Sequence, residues 1–188
     1  MKSVCALLVS SLLLASCGGS TTPATEPAAS EGIATRPYAN LAQMMRAIPF
    51  TASNIVFDAQ TEDPGAPVTE APGGASAGAT KAYANVYGGW QQVENAALAL
   101  QETANLLLIP GRKCMNGKDA PLDQADYRQA IQQLADAGAA ALKAAQAKNM
   151  DQIVDASGVV SEACAACHEP YRDTENEADR CTPKAAAK

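Results

Sequence analysis

Two cysteines and a histidine near the C-terminal end form the most specific chemical pattern in the sequence. Cys164 and Cys167 are three residues apart, and His168, the only histidine in the 188 residues, follows directly. Residues three apart on a helix share a face, so both thiols could add to the two vinyl groups of one haem. The imidazole of the next residue would then lie under the ring, within reach of the iron. C-x-x-C-H is the attachment signature of c-type haem, and we expect one covalent haem c here.

Residue types alone leave two other uses for these cysteines. A zinc site could take four thiolates, those of Cys114, Cys164, Cys167 and Cys181. That spacing is unlike the spacing of a zinc ribbon. A redox-active C-x-x-C pair normally lies in a βαβ context, and no strand pattern accompanies this one. Haem attachment is therefore the favoured interpretation.

The rest of the chain must position this site, and its apolar spacing is helical. Four segments carry apolar residues every three to four positions, at about 41–55, 83–107, 122–145 and 153–167. No segment alternates as a half-buried strand does, and no tight hairpin signal joins two apolar runs. We therefore predict an all-α protein, an antiparallel four-helix bundle with covalently bound haem.

Two prolines and two acidic residues refine the predicted helix ends. Pro49 has no N–H and crowds the carbonyl of Met45, so the first helix should kink or break there. Pro170 is expected to stop the last helix, because the residue before a proline avoids the helical region. Asp123 and Asp151 lie where N-caps or first-turn acids would stabilise the third and fourth helices.

Four stretches of the sequence form a recognisable set. They are MMRAIP at 44–49, GWQQVE at 89–94, AALKAA at 140–145 and ACAACHEPYR at 163–172. The set covers about 38–172 and resembles the cytochrome c′ and cytochrome c-556 family of class II c-type cytochromes, whose haem motif lies in the last helix of a bundle. The resemblance implies that Cys164 and Cys167 form the thioethers and that His168 is the proximal iron ligand.

The sixth iron position is where members of that family differ. Some carry an axial methionine from the first helix, whereas cytochromes c′ have an apolar residue there and a five-coordinate iron. With no second histidine in the chain, a thioether is the natural donor. Met45, four residues before Pro49, matches the family pattern better than Met44, so we predict Met45 as the axial ligand. The alternatives are Met44, an open iron, or two methionines that only fill the core.

The N-terminus is predicted to be the secretion signal of a lipoprotein. Lys2 precedes a short apolar run, which is too short for a permanent transmembrane helix. The stretch 14–17 (Leu-Ala-Ser-Cys) resembles a bacterial lipobox, so residues 1–16 should be removed and Cys17 lipidated. An ordinary signal peptide is the alternative. Gly18 after the cysteine indicates the outer membrane.

The domain organisation follows from that signal. Residues 17–37 are rich in Gly, Ser, Thr, Pro and Ala and are expected to form a flexible tether. Residues 38–188 should form the cytochrome c′-like bundle with its C-terminal tail. Export would place the protein in the periplasm, which is an oxidising compartment.

Two cysteines remain after the others are assigned to the signal, the lipid and the haem. They are Cys114 and Cys181, and an exact pair in an oxidising compartment predicts a disulfide. It would tie the connection between the second and third helices to the polar C-terminal tail. Two free thiols are the alternative.

Charge and composition narrow the function. Fourteen basic against twenty acidic side chains argue against nucleic acid, whose phosphates require clustered Lys and Arg. The sequence offers no acid–base pair near a distal site that would favour an enzymatic function. We predict a membrane-tethered monohaem cytochrome that carries single electrons, and the alternative is a five-coordinate protein that binds NO or CO. The expected partners are redox proteins and, through the lipid anchor, the membrane; dimerisation is compatible with the family.

Overall fold

The computed structural model describes residues 35–67 and 86–182. The predicted signal peptide, Cys17 and nearly all of the tether lie outside the described residues. Within the described ranges the chain forms five α-helices: α1 (Leu41–Ala47), α2 (Pro49–Asp58), α3 (Trp90–Leu107), α4 (Ala125–Gln146) and α5 (Met150–Tyr171). α1 and α2 are the two halves of the first predicted helix. These ranges contain no strand, so the predicted four-helix bundle is confirmed.

The first helix breaks at Ile48, as its sequence predicts. Ile48 has φ −124° and ψ −69°, which lies outside the α-helical region, and it separates the two halves. Pro49 begins α2, a position where its missing N–H would have no helical partner. At the other end, Asn40 and Gln43 form a capping box that starts α1. The break sets the direction of α1 independently of α2.

The start of α3 differs from the prediction. The apolar spacing extended this helix through Val86 and Tyr87 to Tyr83, but Val86 and Tyr87 lie in a turn, and Tyr83 is outside the described residues. Gly89, with φ +64°, stands immediately before Trp90 and ends the turn in a conformation that side chains disfavour. The helix therefore begins at Trp90.

The ends of the last two helices are close to their predicted places. Gln124, rather than Asp123, is the N-cap of α4, and its side chain makes no capping hydrogen bond. Asp151 lies in the first turn of α5 as predicted, behind an Asn149 cap that accepts a hydrogen bond from a backbone N–H. α5 extends one residue beyond Pro170 instead of stopping before it. In the last turn a proline interrupts few of the helical hydrogen bonds, so the helix tolerates it.

The bundle closes because each of the helices α2, α3, α4 and α5 packs against two others of this set. α3 and α4 pack together, α4 packs against α5, and α2 contacts both α3 and α5. Much of the interior consists of small side chains, among them the fully buried Ala97, Ala137, Ala141 and Ala145. Small residues bring the helix backbones close together along the α3–α4 contact.

The close contact between α3 and α4 can be tested by substituting two glycines, one at the contact and one away from it. A Cβ on Gly138 of α4 would lie 2.8 Å from Gln101 Cγ and 3.0 Å from the carbonyl oxygen of Ala97 on α3. We expect Gly138→Ala to lower the free energy of unfolding by about 1–3 kcal/mol through overpacking, despite the better helix propensity of alanine.

Gly158 on α5 is the matched control, because a Cβ there would meet no heavy atom within 4 Å. Gly158→Ala should raise the free energy of unfolding by about 1 kcal/mol. Urea unfolding followed by circular dichroism measures both variants. A change of the same sign in both would contradict the close helix contact.

Candidate haem site

One cavity of about 430 Å³ brings the predicted site residues together. Cys164, Cys167 and His168 line it from α5, and Met45 lines it from α1. The remaining lining comes from α2, α4, the end of α3, the α3–α4 connection and the C-terminal tail. Most of it is apolar, which suits a large flat hydrophobic group. We call this space the haem cavity.

The two cysteines of the motif are free, half-buried thiols that face the cavity from one side of α5. Burial raises the pKa of Cys167 to about 12, with a further contribution from Cys164, and burial also raises the pKa of Cys164. Both are therefore protonated thiols at neutral pH rather than thiolates. Two thiols on adjacent turns of one helix fit attachment to neighbouring vinyl groups.

The alternative zinc site is contradicted by the structure. Cys114 and Cys181 form a disulfide and have no thiolate to offer. Over residues 35–67 and 86–182, no group of three or more His, Cys, Asp or Glu side chains is arranged to hold a metal ion. Four-thiolate zinc binding is therefore not available to this fold.

His168 lies beside Cys167 on the cavity wall. Burial lowers the pKa of the imidazole, the positive Arg172 lowers it further, and Asp173 acts in the opposite direction. The imidazole is thus neutral at pH 7, which leaves one ring nitrogen with a lone pair. A neutral imidazole is the form that binds a metal.

The two adjacent methionines of α1 have different environments. Met44 is 4% exposed and packs in the bundle core, whereas Met45 is partly buried and lines the haem cavity. Successive residues on a helix point about 100° apart, so both cannot face the same space. The structure therefore brings Met45, and not Met44, to the cavity that holds Cys164, Cys167 and His168.

Tyr127 is a cavity residue that the sequence analysis did not single out. It is fully buried on α4, and its hydroxyl makes no hydrogen bond to the protein. Its ring packs edge-on against Tyr171, with 5.2 Å between centroids, and the Tyr171 hydroxyl donates a 2.7 Å hydrogen bond to Asp126. Burial raises the pKa of both phenols. The apolar spacing of Tyr127 with Ile131 and Leu134 was the signal that could have found it.

The C-terminal tail forms part of the cavity wall, and a disulfide holds it there. Cys114 and Cys181 are bonded with 6.5 Å between their Cα atoms. The side-chain amide of Asn116 donates to three tail carbonyls, those of Glu177, Ala178 and Arg180, at 2.9 to 3.2 Å. The tail therefore lies against the α3–α4 connection rather than fraying.

Removing this disulfide should lower stability strongly. It closes a loop with a sequence separation of 67, so the chain-entropy model predicts a loss of about 4 kcal/mol in unfolding free energy. The double variant Cys114→Ser and Cys181→Ser, compared with wild type by denaturant unfolding, measures this loss. An unchanged midpoint would mean that the crosslink does not constrain the unfolded chain.

Comparison with known families gives a match over the segment that contains the two longest of the described helices, α4 and α5. The family model described as Cytochrome C' matches residues 122–172, which contain α4, α5 and the whole Cys-x-x-Cys-His motif. Residues 122–172 belong to the cytochrome c′ family. The comparison with curated proteins found no match, and the comparison with solved structures found none.

The cytochrome c′ family binds haem c covalently, so this segment is that of a c-type cytochrome. The cavity fits the cofactor in its donor set: two protonated thiols one turn apart, one neutral imidazole and an apolar wall. The buried, unpartnered Tyr127 hydroxyl at the wall also fits a site that takes a further group. The family is periplasmic. Among the described residues, no helix combines the length and the apolar character needed to cross a bilayer.

Proposed function

We propose that this cytochrome carries single electrons in the periplasm, with His168 and Met45 as its axial ligands. The observation that carries the proposal is the position of Met45: it lines the same cavity as Cys164, Cys167 and His168, but from a different helix. Together the thioether of Met45 and the imidazole of His168 would fill the coordination sites of a haem iron and raise its potential. Such a site suits outer-sphere electron transfer, not substrate chemistry.

Each cavity residue has a task in this function. Haem c supplies an iron that changes by one electron between the ferric and ferrous states. The free thiols of Cys164 and Cys167 would anchor it covalently, so that an exported protein would not lose it. The neutral His168 offers a nitrogen lone pair, and Met45 offers a soft sulfur ligand. The apolar wall excludes water, which limits reorganisation around the site and tunes the potential.

A five-coordinate protein that binds NO or CO is the second candidate. One observation favours it: α1 has only seven residues and is separated from α2 by the break at Ile48, so Met45 is carried by a short helix. Leu41 and Ala42 of the same helix also line the cavity and could present an apolar surface to the iron. The family is compatible with either function.

The cellular setting completes the proposal. A lipid on Cys17, beyond the described residues, would tether the bundle to the outer membrane through the segment 17–37. The partners would be redox proteins that exchange one electron with the haem, and we propose no nucleic-acid partner for a chain with a formal charge of −6. The described bundle would then stand off the membrane surface within reach of such proteins.

Optical spectra of the purified holoprotein test the proposal. They are recorded oxidised, reduced, and reduced with CO, together with a pyridine haemochrome assay of the linkage. We expect a c-type haemochrome, low-spin bands, a far-red sulfur-to-iron band and no response to CO. High-spin bands that shift with CO would contradict six-coordinate iron and favour the gas-binding function over electron transfer.

A further inference from the structure

The haem cavity is basic although the whole chain is acidic. The chain has a formal charge of −6, yet the charged side chains on the cavity wall include three arginines, Arg46, Arg172 and Arg180. Arg172 is paired with Asp173 at 2.6 Å, which offsets its charge. The wall therefore favours an anionic group on the molecule it holds.

Among the three arginines of the cavity wall, Arg180 has a buried side-chain nitrogen that lacks a hydrogen-bond partner. Its Nη1 atom pairs with Glu177 at 3.0 Å, and the Glu177 carboxylate is largely exposed. Its Nε atom is buried and makes no hydrogen bond, although the side chain as a whole is 31% exposed. A buried guanidinium N–H without an acceptor is costly, so a further acceptor on the cavity side would stabilise this arrangement.

The backbone of Arg180 is fixed on both sides. The Asn116 amide donates a 2.9 Å hydrogen bond to the Arg180 carbonyl, and the next residue, Cys181, is bonded to Cys114. The Cys181 N–H also donates to the carbonyl of Tyr171 at the end of α5, at 2.9 Å. The tail is thus tied to both neighbouring segments at the residue whose side chain lines the cavity.

We propose that the disulfide-held tail makes Arg180 a binding residue for a carboxylate on the haem periphery, a propionate. The planar N–H fork of arginine matches a carboxylate, and the haem carries its carboxylates on its propionate side chains. This inference rests on the proposed haem function and extends it. The tail then acts as part of the cofactor site, beyond its role in stability.

The charge of Arg180 has a measurable consequence for the iron. A positive charge held near the ring, in a partly buried site, disfavours the ferric state, which carries the extra positive charge. Removing it should lower the midpoint reduction potential. It should also change the hydrogen bonding of the propionate, which resonance Raman spectroscopy detects through the propionate bending mode.

The test compares Arg180→Gln with Arg128→Gln in the holoprotein. Arg128 is an exposed arginine on α4 whose Nη1 donates to the Leu122 carbonyl, and it does not line the cavity. The two variants therefore lose the same charge at different places. We expect Arg180→Gln to shift the propionate mode and lower the potential, and Arg128→Gln to leave the mode in place and the potential near that of wild type.

A third variant tests whether the tail is responsible. Asn116→Ala removes the three hydrogen bonds to the tail but keeps the disulfide and every charge. It should move the propionate mode in the same direction as Arg180→Gln, by a smaller amount. Cys114→Ser with Cys181→Ser should move it further, because the tail is then released.

The outcomes separate this inference from the proposed function. Covalent haem with an unchanged propionate mode and potential in Arg180→Gln would overturn the role of Arg180 and leave the cytochrome intact. Equal shifts in Arg180→Gln and Arg128→Gln would also overturn it, since the effect would then be one of net charge. A wild-type protein without covalent haem would overturn both.

Discussion

We expect the replacement of both Cys164 and Cys167 by alanine to abolish the covalent attachment of haem. Both thiols line the haem cavity and are free to react, and no other free cysteine lies among the described residues. Without them, haem would be held only by non-covalent contacts, by the ligands His168 and Met45 and by burial, and acid–organic extraction would remove it. Mass spectrometry of the denatured protein and a haem stain after denaturing electrophoresis measure the loss. Each single variant should retain haem through one thioether.

The chain supplies a matched control with the same number of cysteines removed. Cys114→Ser with Cys181→Ser deletes the disulfide pair and should keep covalent haem. Retention of covalent haem in the Cys164/Cys167 double variant would contradict attachment at the motif. Loss of haem in both double variants would point to a folding defect, which the denaturant midpoints of the two variants would reveal.

Met45→Leu should convert the iron from low spin to high spin. Leucine fills a volume close to that of methionine but has no sulfur, so the change removes a ligand with little change in packing. The reduced variant should bind CO, which the wild type should not. The far-red sulfur-to-iron band should disappear, and the potential should fall, because a methionine ligand raises it. Optical and electron paramagnetic resonance spectra check each point.

Met44→Leu is the control at the neighbouring position. Met44 is buried in the core rather than on the cavity wall, so its replacement should leave the spin state and the CO response as in wild type. The reverse pattern, with a spin change only in Met44→Leu, would mean that α1 is rotated in the holoprotein. Unchanged spectra in both variants would support an open iron.

Local spacing was enough to predict most of the fold and the haem motif. The apolar period of the helices, the break before Pro49 and the first-turn Asp151 depend on residues within a few positions of one another, and each is confirmed. The start of α3 was not predictable in this way. A Cβ on Gly89 would lie 2.7 Å from the Pro64 carbonyl oxygen, so this turn is shaped by a segment distant in the sequence.

The sequence by itself determined which residues form the attachment motif, because C-x-x-C-H lies within one turn and a half of a single helix. It favoured Met45 over Met44 only through the family resemblance, because the face that α1 turns to the cavity depends on how that short helix packs. Tyr127 and Arg180 also required the tertiary structure. Tyr127 meets Tyr171 from another helix, and Arg180 reaches the cavity because distant residues, Cys114 and Asn116, hold the tail. A motif whose residues lie within one or two turns of a helix can be predicted from local sequence. The walls of a cavity cannot, because they are assembled from segments far apart in the chain.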